Sequence, residues 1–201
     1  MGIEELVKLN DRIFDEINSN LTMLGAVLDN KCKDVIYASS PITTGYRMYK
    51  IFEKYKVKSV AELKELDKEV FKREIMDENI SDGLEFKFEL LDKNYKYIIA
   101  PGEFFAKGWT QEHYMSLWEK VIKKFSNIIC FNDNYQYSNG CVGELIIGIK
   151  NNKQLRKRED FAIINPKEEL NQIEKAIEHI DKIGADTKTL SNLYLELKDL
   201  N

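Results

Sequence analysis

From Ile3 to Leu28 the apolar residues Ile3, Leu6, Ile13, Ile17, Leu21, Leu24 and Leu28 recur at helical spacing. The rhythm predicts an amphipathic N-terminal helix ahead of any strand. It then changes. Asp34-Val-Ile-Tyr-Ala-Ser39 is a short apolar run, closed at once by Ser40-Pro41 and Thr43-Thr44-Gly45, which marks a buried strand entering a loop and a helix. Helical pattern follows over 59–76, with Ser59 as its cap, and over 80–91, up to a break at Asn94. Tyr95–Ala100 predicts a second strand ended by Pro101-Gly102, and Thr110 caps an amphipathic helix carrying Tyr114, Leu117, Trp118, Val121 and Ile122. Residues 127–131 predict a third strand, with a helix behind it from Cys141 to about Lys150. Asp160–Ile164 reads as the fourth strand, and the Lys-rich stretch Lys150–Arg158 before it as a solvated helix end and connector. Pro166 opens two closing helices, roughly 167–183 and 187–199.

Strands alternating with helices of ten or more residues imply βαβ units. The expected fold class is therefore α/β: a doubly wound, flavodoxin- or Rossmann-like, mainly parallel sheet of four to five strands with helices on both faces. It divides into an N-terminal helix over 1–30, an α/β domain over 31–165 and a C-terminal helical extension over 166–201. Ligands of such sheets bind beyond the carboxyl ends of the strands, so the loops starting at Ser39, Ala100 and Phe131 are expected to share one crevice.

Composition narrows the partners. Thirty Lys and Arg against 34 Asp and Glu give a net charge of −4, without the basic surplus that a polymeric nucleic acid demands. No apolar run approaches the roughly 18 residues of a membrane span, and the first residues lack a basic and then apolar leader pattern, so a cytoplasmic protein is expected. Cys32, Cys130 and Cys141 stand far apart with no CxxC, and His113 and His179 share no ligand spacing with them. Neither a metal nor a cofactor is expected.

The most specific chemistry lies in Ser138-Asn-Gly-Cys-Val-Gly-Glu144, where the loop of the third strand turns into a helix. Gly140 allows a ligand close to the backbone, and the first-turn amides can hold an anion. Glu144 falls about one turn into that helix, within reach of the crevice. A carboxylate there can attack an anomeric carbon or stabilise an oxocarbenium-like transition state, although an acidic first-turn residue is also what a helix dipole favours on its own.

These residues resemble the nucleoside 2-deoxyribosyltransferase-like superfamily, whose pattern [D/S]-x-G-x-x-x-E is met by Ser138, Gly140 and Glu144. The opening Ile36-Tyr-Ala-Ser-Ser-Pro-Ile-Thr-Thr-Gly45 is similar to that superfamily's first strand and loop, which contacts the sugar or its phosphate, and Ala100-Pro-Gly102 to its turn after the second strand. The resemblance covers residues 34 to 155. It implies Glu144 as nucleophile and, because Ser138 stands where nucleoside enzymes carry aspartate, a preference like that of the nucleoside 5′-monophosphate N-glycosidases. Ser39, Ser40, Thr43, Thr44, Gly45, Arg47, Ser138 and Gly140 would then bind substrate and phosphate, although Thr43 and Thr44 serve equally as helix caps. The second acid of the family has no aligned counterpart; Glu119 and Asp133 are the nearest candidates. Tyr135 and Tyr137, in a polar loop beside the motif, and Trp109 are expected to stack on a base, with Tyr37, Phe104 and Phe105 behind them. The implied ligand is a nucleoside or nucleotide, handled without a cofactor by a homodimer or higher homo-oligomer. A nucleotide sensor without turnover, and an assembly module driven by the terminal helices, remain open alternatives.

Overall fold

The computed structural model describes residues 3–28 and 34–200, with residues 3–11 as backbone only; Cys32 lies outside them. Helix α1 (Ile3–Leu28) precedes strand β1 (Ile36–Ser39). Next come α2 (Tyr46–Tyr55), α3 (Val60–Leu66) and α4 (Asp77–Asp92), then β2 (Ile98–Ile99), α5 (Gln111–Lys124) and β3 (Ile128–Phe131). The chain closes with α6 (Asn139–Lys150), β4 (Gln154–Lys157), α7 (Pro166–Ile183) and α8 (Lys188–Asp199). The four strands form one wholly parallel sheet in the order β2-β1-β3-β4.

Both central strands are buried at every position, as strands covered on two faces must be, and this is why they read as unbroken apolar runs. Their side chains alternate. Tyr37, Ile129 and Phe131 enter a large core shared with α1, α2, α5, α6, α7 and α8, whereas Ile36, Ala38, Ile128 and Cys130 face Phe86 and Leu90 of α4. The sheet is thus doubly wound. Gly148 lets α6 press against it: a Cβ there would stand 2.6 Å from Leu155 and 2.7 Å from Ile129. The closing helices join the same core through Ile173, Ala176, Ile180, Leu190 and Leu197.

Two sequence expectations are corrected. The fourth strand is Gln154–Lys157, within the stretch expected to be a connector, and residues 160–164 fold back on it with a single antiparallel bridge between Arg156 and Ile163. An edge strand needs few apolar residues, and here Leu155 alone is buried. The helix expected over 59–76 breaks at Asp67, whose carboxylate accepts a hydrogen bond from the Glu69 amide at 2.9 Å and so competes with the helical ladder. The chain resumes as a π-helical turn, Phe71–Met76, that runs into α4. No helix among the described residues is long and apolar enough to cross a membrane.

Candidate active site

The connection from β1 leads to one side of the sheet and that from β3 to the other, so the loops after these neighbours part and leave a crevice at their carboxyl ends. Ser39 ends β1. Across the crevice Ser138, in extended conformation, caps α6 by accepting the Cys141 amide at 3.4 Å. Its hydroxyl also lies 3.2 Å from that of Thr44, which ties the two loops together. Gly45 starts α2 at φ 128°, where a Cβ would come within 2.8 Å of Pro41, so only glycine fits this turn. Gly140 differs, since a Cβ there would meet only the Ser138 hydroxyl at 3.8 Å. What its missing side chain leaves open is the space in front of α6.

Glu144, 6% exposed, points from the second turn of α6 back toward β1. The Tyr37 hydroxyl donates to its Oε1 and the Ser39 hydroxyl to its Oε2, each at 2.5 Å. Burial pushes its carboxyl up from the ordinary 4.5 to about 7, against the pull of the Ser39 and Tyr37 hydroxyls. The Tyr37 phenol is raised well above its usual range, first by burial and then by the Glu144 charge, so it remains a donor. Burial lifts the neighbouring Cys141 thiol to about 12, with Glu144 adding to the shift, which leaves it an unreactive thiol at neutral pH.

Glu144 opens into a cavity of about 390 Å³, large enough for a nucleoside. Ser40, Thr43, Thr44, Ser138 and Gly140 form its polar side. Its lining also holds a cluster of aromatic rings: Phe104 and Trp109 meet at 5.5 Å between ring centres, Trp109 and Tyr114 at 5.3 Å, and Phe104 and Trp118 at 5.6 Å. Local bonds fix these rings. The Tyr114 hydroxyl accepts from the Ala106 amide and donates to its carbonyl, and a capping box of Thr110 and His113 starts α5. From α1, the Glu16 carboxylate accepts the Trp109 indole N–H at 2.9 Å. Among the described residues that line the cavity, Glu144 is the sole charged side chain.

The structure brings Ser40, Thr43, Thr44, Ser138, Gly140, Trp109 and Glu144 to one cavity, with Ser39 beneath the carboxylate and Gly45 at the turn behind it. Five other expected site residues lie elsewhere. Arg47 turns into a neighbouring cleft, donates to Asn79 at 3.1 Å and pairs with Asp82 and Glu78. Glu119 pairs with Lys123 one turn along α5, and Asp133 is exposed in the cleft beside Arg158. Neither supplies a second acid to the cavity. Tyr135 is core, its ring 4.6 Å from that of Phe131, and Tyr137 packs between Tyr46, Tyr49 and His179.

The rings that do line the cavity include Tyr114 and Trp118, which sequence periodicity assigns only to the inner face of α5. Tyr37, a stacking candidate by sequence, is instead a fully buried partner of the carboxylate. Comparison of the chain with models of known protein families, with curated proteins and with solved structures finds no match.

Proposed function

We propose that the protein cleaves or transfers the N-glycosidic bond of a nucleoside or nucleoside 5′-monophosphate, with Glu144 as the group that acts on the anomeric carbon. The observation that carries this reading is a buried carboxylate, gripped at each oxygen by a hydroxyl, facing a cavity lined by both hydroxyls and aromatic rings. Such a carboxylate is held in one orientation, ready for attack or for charge stabilisation. The aromatic rings suit a base, and Thr43, Thr44, Ser138 and the first amides of α6 suit a sugar or its phosphate.

In a two-step course Glu144 displaces the base and holds the sugar as a glycosyl ester, which water or a second base then opens. The test is base release from a panel of nucleosides and nucleoside monophosphates, followed by chromatography, with the parent protein and Glu144→Gln side by side. Release by the parent alone supports the assignment; equal release by both removes Glu144 from the chemistry.

That no second acid lines the cavity among the described residues favours one competing reading, a nucleotide sensor that binds without turnover. Thermal stabilisation by a nucleotide that is recovered intact would establish it. A homodimer is part of the first reading, with the exposed Met23 and Val27, one turn apart on α1, as its contact face, and sedimentation of the intact chain tests it.

A further inference from the structure

We infer that the cavity is built for an N-glycoside whose aglycone is already positively charged, a glycosyl pyridinium or a 7-alkylated purine nucleoside, which departs as a neutral base without a proton from the protein. The inference rests on the proposed role of Glu144 at a glycosidic bond and names the substrate class for it.

A neutral base leaves as an anion unless an acid protonates it, and a positioned acid contributes about 100-fold or more to such a step. The described residues offer none here. Among the described residues Glu144 is the sole carboxyl lining the cavity, and it cannot be nucleophile and acid in one step. The Tyr37 proton is committed to Glu144, the Tyr114 hydroxyl is tied to the Ala106 backbone, and Cys141 holds its proton too firmly. With a cationic aglycone no acid is needed. As Glu144 bonds to the anomeric carbon, the C–N bond breaks, and its electron pair neutralises the ring nitrogen. Water then adds to the same carbon, the ester C–O pair returns to Glu144, and the water proton passes to solvent.

Charge and shape point the same way. No Lys, Arg or His is among the described residues lining the cavity, and Arg47, the nearest candidate by sequence, is held outside by Asp82, Glu78 and Asn79. Among the described residues the cavity wall thus carries one anionic side chain together with four packed aromatic rings, Phe104, Trp109, Tyr114 and Trp118. That combination is how proteins hold organic cations, through ring faces and a nearby carboxylate. A cation beside Glu144 also favours its ionised, nucleophilic form.

The test sets nicotinamide riboside and 7-methylguanosine, the latter in its cationic form at mildly acidic pH, against guanosine and inosine on the same ribose. Each kcat/KM is divided by the rate of the uncatalysed reaction, which removes intrinsic lability. The expected result is an advantage of about 100-fold or more for the cationic pair, lost in Glu144→Gln. 1-Methylnicotinamide, a pyridinium cation with no glycosidic bond, should compete, and uncharged nicotinamide should not, a comparison that needs no variant. Neutral nucleosides cleaved equally well after normalisation would overturn the inference and leave the glycosidase reading standing. No release from any compound, with no competition by the cation, would overturn both.

Discussion

Tyr37 and Glu144, 107 positions apart in the chain, meet hydroxyl to carboxylate at 2.5 Å, and the Ser39 hydroxyl holds the other carboxylate oxygen at the same distance beneath the cavity. Because Tyr37 donates to the ionised form, it lowers the carboxyl value that burial raises. A hydrogen bond to a charged group is worth about 2 kcal/mol, so Tyr37→Phe should move the ionisation that controls turnover upward by about one pH unit or more. The pH profile of kcat/KM in parent and variant checks this. An unmoved profile would mean that Tyr37 only packs.

Stability should carry the same signature. The folded value of Glu144, about 7, lies above the ordinary 4.5 that it regains on unfolding. Its contribution is therefore fully present below about pH 4.5 and lost as pH rises through about 7, a change of about 3 kcal/mol. Glu144→Gln removes this dependence, so denaturant unfolding should show the parent gaining on the variant between pH 8 and pH 5. Other titrating groups cancel in the difference.

Arg47 lies 35% exposed among Glu78, Asn79 and Asp82, where an ion pair contributes at most about 1 kcal/mol. Arg47→Ala should leave the affinity of a nucleoside and of its 5′-monophosphate for the cavity within about twofold of the parent, and thermal stability nearly so. A selective loss for the monophosphate, measured by calorimetry, would return Arg47 to the site.

Gly45→Ala should destabilise by about 2 kcal/mol, since it combines a backbone at φ 128° with a Cβ pressed on Pro41. Its effect on ligand affinity reports how far the Thr43–Thr44 side of the cavity depends on that turn.

Glu169, on the first turn of α7, is fully buried and bonds to Lys157 at 2.7 Å and to Gln136 at 2.9 Å. Glu169→Ala breaks a buried pair and leaves Lys157 to find water, which it partly reaches, so a loss of about 2 kcal/mol is expected. The same change frees the loop of Tyr135–Tyr137 ahead of α6, and weaker ligand binding should accompany it. A loss of stability with unchanged affinity would show the loop held by its other contacts.

Where a feature depends on neighbours in sequence it was legible. The runs of β1 and β3 announce strands buried on both faces, and the interval from Gly140 to Glu144 places the carboxylate in the early turns of α6. Where it depends on distant chain it was not. The carboxylates that draw Arg47 away come from α4, more than 30 residues on, and no local pattern reports them. Tyr135 and Tyr137 sit among polar neighbours yet are claimed by Phe131, α2 and α7. Strand β4 hid because an edge position asks for one inward side chain.

The parallel pairing of β1 with β3, Ser39 opposite Phe131, also sets the order in which the molecule can be made. Neighbouring parallel strands close long loops, and such contacts form slowly. A growing chain that has emerged only as far as β2 has the hydroxyls of Tyr37 and Ser39 but no carboxylate for them to grip. The cavity is thus a late product of folding, and a compound that fills it should lengthen the lifetime of the finished protein far more than it hastens its formation.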